Sequence, residues 1–297
     1  MNNEKKTLEN KIDFVMFVSA TNANPNGDPL NGNRPRQTLD DLGEISDVCI
    51  KRKIRNRLQD MGENIFVKME ERTDDNFKSL RDRFDNAKKE WKDANNEEKL
   101  EKNEEKLAKY ACEKWIDVRS FGQVFAFKSG SVSIGIRGPV SIHQAMSVNG
   151  IDIQSMQITK SVNGESTDGS KSSDTMGMKH FVRFGLYKIK GSINCQLAEK
   201  TGFTYDDALK IKEALETLFE NDSSSARPEG SMQVCKFYWW KHTCKTPRVT
   251  TAQIHESVEA KLKSDIGKEI PTKIEDYDFI YTPPENCDVK PEIFEIK

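Results

Sequence analysis

The spacing of apolar positions changes several times along this chain, and each change predicts an element. Ile12 to Ala20 is a nearly unbroken apolar run rich in aromatic and β-branched residues, which predicts a buried strand. From Thr21 to Ile45 no period is legible, so a long loop is expected, carrying Asn24-Pro25-Asn26-Gly27-Asp28-Pro29 and Asn33-Arg34-Pro35-Arg36. Ser46 then stands as an N-cap before Ile50, Ile54, Leu58 and Met61, one stripe of an amphipathic helix that Gly62 stops. Phe77, Leu80, Phe84 and Trp91, followed after a break at Asn95-Asn96 by Leu100, Leu107 and Tyr110, predict a helical hairpin.

Strand patterns return at 122–127, 132–140, 181–197 and 232–240. Between the last two, Thr204 and Asp207 are placed for a capping box, with Ala208, Ile211, Leu215 and Leu218 as the buried stripe of a second helix. Residues 150–180 are polar and contain a Gly/Ser/Asp-rich stretch from Asp168 to Asp174, which suits an exposed hairpin or arm. Pro271, Pro283, Pro284 and Pro291 mark the remainder as a wrapping tail. With the helical insert and the arm set aside, the order is strand, helix, strand, strand, helix, strand. That βαββαβ order predicts an α+β, ferredoxin-like or RRM-like fold with two helices on one face of an antiparallel sheet.

Composition sharpens this picture. Of 297 residues 35% are hydrophobic and 32% charged, so the surplus charge must lie on excursions from a modest core. Residues 68–115 hold 13 basic and 14 acidic side chains, a mixture that solvates and pairs along helices. The polar start of the chain and the lack of an 18-residue apolar window predict a soluble, cytoplasmic protein without membrane contact. Six cysteines without a C-x-x-C pair are expected as reduced thiols.

Candidate chemistry is sparse for catalysis and better for nucleic acid. The chain lacks G-x-S-x-G, H-E-x-x-H and Walker motifs. Cys235, His242, Cys244 and His255 do not have a standard zinc spacing, so neither metal nor cofactor is expected. The net charge of −2, from 46 Lys plus Arg against 48 Asp plus Glu, gives no global case for nucleic acid. Local clustering does. Lys51, Arg52, Lys53, Arg55 and Arg57 put five positive charges and no negative one between Val48 and Leu58, read here as an open basic face. Arg34 and Arg36 in the long loop, Arg119 and Arg137 add to it, and Asn- and Gly-rich loops offer backbone donors to phosphates. On an RRM-like sheet these favour single-stranded RNA.

The ordered motifs closely resemble one family. The 24–36 loop, Ser46-Asp47-Val48 with Lys51-Arg52-Lys53-Ile54-Arg55, Asp117-Val118-Arg119-Ser120-Phe121-Gly122 and Ile136-Arg137-Gly138-Pro139-Val140 are similar to the backbone subunit of type I CRISPR Cascade complexes, the Cas-seven superfamily. Lys179-His180 and Phe184-Gly185-Leu186-Tyr187 fit the same pattern, which is best for subtype I-C and next for I-B. The resemblance implies a hand-like chain: a palm at 12–65, 116–149 and 181–245, a helical finger insert at 66–115, a β-hairpin thumb at 150–180, and the tail at 246–297. It implies a non-catalytic subunit whose copies polymerise along CRISPR guide RNA, the protein reading backbone while base pairing reads the target DNA.

Its partners would be other Cascade subunits (large, small and the guide-processing end cap) and a recruited helicase-nuclease. Carried onto this chain, Asn24, Arg34, Arg36, Lys51, Arg52, Lys53, Arg55, Arg119, Arg137, Lys179 and His180 become candidate RNA contacts. Met176 and Met178 become an apolar wedge between bases. Two alternatives stay open. Asp28 could support RNA cleavage, as a loop aspartate does in related type III effectors, or serve its own turn. The chain could also be a stand-alone RRM-type RNA binder.

Overall fold

The computed structural model describes residues 6–95, 104–126, 133–159, 176–264, 266 and 270–295. In chain order its strands and helices begin with β1 (Ile12–Ala23), β2 (Gly27–Asp28), β3 (Arg34–Pro35), β4 (Leu42–Ile45) and α1 (Asp47–Asp60). The insert holds α2 (Leu80–Asn95) and α3 (Glu104–Lys114), followed by α4 (Ile116–Phe121), β5 (Gly122–Ala126) and β6 (Ser133–Arg137). Next come β7 (Val140–Ile142), β8 (Ala145–Gly150), β9 (Ile153–Thr159), β10 (Met176–Ile193), α5 (Cys195–Thr201), α6 (Tyr205–Glu216) and β11 (Met232–Lys241). The tail contributes α7 (Thr251–Glu256), β12 (Val258–Leu262), β13 (Tyr277–Tyr281) and β14 (Glu292–Glu295).

The core is a mixed α/β assembly on one antiparallel sheet, ordered β14-β11-β1-β10-β8-β4, with β7 and β9 also paired to β10. β1 lies in its middle, and every residue from Ile12 to Ala20 is buried. A strand covered on both faces needs no polar alternation, which explains the continuous apolar run. One face packs against α1, α5 and α6 through Phe14, Met16, Val18, Ile50, Ile54, Leu58, Ile211 and Leu215. The helix signals hold at residue level. Ser46 accepts from the Cys49 amide, and Thr204 with Asp207 completes its capping box. Phe14 stacks on Trp239, and Gly191 makes room for the ring: a Cβ there would lie 2.2 Å from Phe14 Cζ and 2.6 Å from the Ser141 carbonyl.

The other face carries Val15, Phe17, Phe184, Leu186, Tyr238 and Trp240, and the tail covers it. Phe279 of β13 meets the Phe17 ring edge-on at 5.0 Å, and Tyr281 packs against Tyr238 and Trp240. The expected wrapping tail is therefore a helix, a hairpin and a final strand that extends the sheet. Its contacts bury Phe17, Tyr238 and Trp240 on the face on which RRM-like sheets hold unstacked bases, so those rings are not open for stacking.

Three further expectations are corrected. The strand region at 181–197 stops at Ile193, because Asn194 caps a helix starting at Cys195. Strands 122–127 and 132–140 stay out of the main sheet in their first part: β5 and β6 form a ribbon of their own, and only Val140–Ile142 joins β10. Phe127 and Val132 lie outside the described residues. The loop at 21–45 contains short strands, with β2 on β3 and β4 on β8. The helical insert forms with a core of its own, in which Phe66, Phe84, Trp91, Leu107, Trp115, Phe125 and Ile134 are buried. Leu100 lies outside the described residues. Among the described residues no helix is long and apolar enough to cross a membrane.

Gly191→Ala is expected to cost about 1–3 kcal/mol through overpacking against Phe14. Gly135→Ala, which meets nothing within 4 Å, is expected to be near neutral. Urea denaturation of both variants checks this.

Candidate nucleic-acid interface

The basic residues divide into two sets with different surroundings. Along α1 most of the cations are engaged within the molecule. Lys53 is buried and paired with Asp222, and burial pushes its ammonium down despite that partner. Arg55 donates to Asp117 at 3.0 Å and lies over Phe121, while Arg57 pairs with Glu220 at 2.6 Å. Arg52 donates to the Val67 carbonyl at 2.6 Å, and Lys51 pairs with Asp47 one turn back. The open basic face expected from sequence is thus corrected: Arg52, Lys53, Arg55 and Arg57 hold the helical insert, α4 and the loop after α6, and Lys51 pairs within its own helix.

Arg119 receives the same correction. Its guanidinium grips both oxygens of Asp207, at 2.7 and 3.0 Å, and also reaches the Cys112 carbonyl. Burial works against the Asp207 charge, but Arg119 and the Thr204 donors hold its carboxyl below the ordinary range. Asp117, two residues earlier, is fully buried and accepts from the Phe66 and Val67 amides as well as from Arg55. The 117–122 and 136–139 motifs meet each other: Gly122 pairs with Arg137, and a Cβ at Gly138 would lie 2.3 Å from the Ser120 carbonyl.

The second set faces outward. Arg34 on β3 donates to the Ser155 hydroxyl on β9 at 3.1 Å, and that hydroxyl lies 2.8 Å from His180 Nδ1 on β10. This chain joins the first loop to the β9–β10 hairpin. Asn24 supports the loop from beneath: it is buried and donates to the Asn33 carbonyl at 2.7 Å, so the expected contact residue is a brace. Asn26, which the motif carried without a role, accepts from both the amide and the hydroxyl of Ser46 and fixes the loop to the start of α1. Arg36 lies 3.7 Å from Asp28 and is partly exposed. Asp28 turns its carboxylate to the Leu30 amide, capping a short 3-10 turn. Arg137 is exposed and Lys179 partly so, and neither has an acidic partner within ion-pair distance among the described residues.

Met176 and Met178 are 61% and 55% exposed on the hairpin, and Met156 and Ile158 of the paired strand are exposed too. Alternation along the strands puts Met176 and Met178 on one face and Met156 and Ile158 on the other. The Gly/Ser/Asp stretch of this arm lies outside the described residues. The four residues weighed as zinc ligands have separate surroundings: His242 bonds Asp13 at 2.8 Å, His255 bonds the Gly191 carbonyl, Cys235 is buried and Cys244 is exposed.

What the geometry offers is a noncovalent surface: outward cations beside a two-faced apolar hairpin, on a central antiparallel sheet. Residues 10–282 match the family model described as CRISPR-associated protein Cas7, and the chain belongs to that family. It is similar to the CRISPR-associated protein Cas7 of Haloferax volcanii, 25% identical over 235 residues that cover 74% of this chain and 67% of that protein. Among solved structures it is similar to a chain of a CRISPR RNA-guided surveillance complex in a pre-nicking state, with 14% identity, 77% of both chains covered and a TM-score of 0.48. A second chain, from a CRISPR RNA-guided surveillance complex, gives 15% identity, covers 77% of this chain and 68% of that one, and has a TM-score of 0.43.

Replacing Arg55 or Arg119 by Ala strands a buried carboxylate and is expected to cost about 3–5 kcal/mol in chemical denaturation. Arg137→Ala and Lys179→Ala should change stability by no more than about 0.5 kcal/mol. The folded Asp207 value lies below the unfolded one, so its contribution is complete above the ordinary aspartate value of 3.8 and is lost as pH falls through the folded value. Arg119→Ala should flatten that acid limb of the stability profile.

Proposed function

We propose that this Cas7 family member is a non-catalytic backbone subunit that binds guide RNA and polymerises along it in a type I surveillance complex, of subtype I-C with I-B next. It presents the guide for base pairing with target DNA. The observation that carries this reading is the Arg34–Ser155–His180 junction, which holds a cationic loop beside a hairpin with exposed methionines. The sheet order β11-β1-β10-β8, with α1 and α6 packed on one face, supports an RRM-like palm. The insert with its own core would be the finger and the β9–β10 hairpin the thumb.

In this reading Arg34, Arg36, Arg137, Lys179 and His180 take guide phosphates, and Met176 or Met178 wedges between bases. Lys51, Arg52, Lys53, Arg55, Arg119 and Asn24 shape the surface from behind. Neighbouring copies, the large, small and end-cap subunits of the complex and a recruited helicase-nuclease are the partners, in the cytoplasm. Asp28 supports the non-catalytic reading, since its carboxylate serves its own turn and Arg36.

Purified protein is expected to carry RNA of one defined length, seen by extraction and sizing; an RNA-free monomer that binds no guide overturns the proposal. Arg34→Ala, Arg137→Ala and Lys179→Ala together should lower the salt slope of binding by roughly 2, at about 0.7 per single-strand phosphate. Guide-loaded assembly given complementary RNA and divalent metal should leave that RNA intact. Regularly spaced fragments that vanish in Asp28→Ala would establish a ribonuclease instead.

A further inference from the structure

A second basic site lies on the face that the tail covers. Between β8, the end of β10 and the start of β12 runs an open cleft of about 550 Å³, within the range of about 300–1,000 Å³ found for small-ligand sites. Lys188 and Lys190 reach it from one side of β10, opposite Phe17 and Val15 of β1. Lys261 comes from β12, and Glu259 is the single carboxylate in the lining, held 2.9 Å from Lys261. Three lysines therefore face one glutamate.

Neither β10 lysine has a carboxylate within ion-pair distance among the described residues. Lys188 instead donates to the carbonyls of His255 and Val258, at 2.7 and 2.6 Å, which anchor the ammonium and leave one of its three N–H donors free. Burial, then the neighbouring Lys190 charge, pushes Lys188 down to about 8, with Glu259 and Glu256 pulling weakly the other way. Three lysines around one carboxylate leave the cleft with a positive excess that suits an anion. Met146, Val148, Phe17 and Ala260 give the rest of the wall apolar surface, interrupted by Gln144 and Ser147, and the exposed His143 joins the lining.

We propose that this cleft binds a nucleotide, its phosphate on Lys188 and Lys190 and its base against Met146, Val148 and His143. The site is separate from the hairpin junction. Lys188 lies eight residue steps along β10 from His180, about 27 Å at strand rise. The nucleotide is either free or one unit of a single strand, and phosphate recognition is common to both.

Pyridoxal 5′-phosphate is a direct probe, because its phosphate docks as a nucleotide's would and places an aldehyde beside the amine. The amine nitrogen adds to the carbonyl carbon, water leaves, and borohydride supplies the hydride that fixes the imine as a secondary amine. Peptide mapping of the full chain, labelled at pH 8, should find Lys188 or Lys190 modified ahead of surface lysines such as Lys245 and Lys263. Protection by adenosine monophosphate alone assigns a free nucleotide; protection by an eight-residue oligothymidylate, with or without the mononucleotide, assigns a strand. Lys190→Gln should need about tenfold more of the protecting ligand for the same effect on Lys188. Labelling no faster than at surface lysines, or protection by neither ligand, overturns the proposal. RNA content of the same sample reports separately on the guide interface, so the two readings fail independently.

Discussion

Helix α4 is only six residues long, yet its two charged side chains tie three parts of the molecule together. Asp117 takes the two backbone amides at the entrance to the insert and the guanidinium of Arg55 on α1. Arg119 reaches the other way, to the carboxylate that caps α6. A buried charge is costly unless it is paired and hydrogen-bonded, and here each finds its partners on other elements. The clamp therefore fixes the insert against α1 and α6, on the helical face of the sheet. It also sets the direction in which the chain enters the β5–β6 ribbon, whose close approach at Gly122 and Gly138 would not tolerate a displaced α4.

This constraint explains what could be read from the residues alone. Elements whose determinants are local were legible: the caps at Ser46 and Thr204, the stripe of Ile50, Ile54 and Leu58, and the buried run of β1. The fate of the basic residues was not, because each partner is distant in the chain. Arg55 and Asp117 are 62 residues apart, Arg119 and Asp207 are 88, and Lys53 and Asp222 are 169. A run of cations looks the same whether it faces water or scattered aspartates. The only local hint was the wrong sort of helix for a solvated surface, one with positive charge on every side. The strands of the wrapping tail were missed for a different reason: they are four or five residues long with prolines between them, so their pairing depends on the neighbours they meet in the fold.

The two faces of the sheet then take different work. Helices seal one, and the tail seals the other with aromatic contacts to Phe17, Tyr238 and Trp240. The two proposed binding surfaces lie toward opposite ends of β10. At its start stand the hairpin and the cationic loop; near its finish two lysines open onto a cleft. Near-neutral net charge is compatible with the same arrangement, since most of the basic residues that stand out in the sequence are matched within the fold and a small set faces outward.

In the proposed function, RNA contact belongs to the loop and hairpin, while α1 and the 117–122 motif hold the scaffold. Ultraviolet crosslinking of the guide-loaded assembly followed by peptide mass spectrometry tests it most directly. Nucleotide adducts are expected on peptides containing Arg34, Arg36 and residues 176–183. Adducts concentrated on Lys53, Arg55 or Arg119, with none on the loop and hairpin, would contradict it.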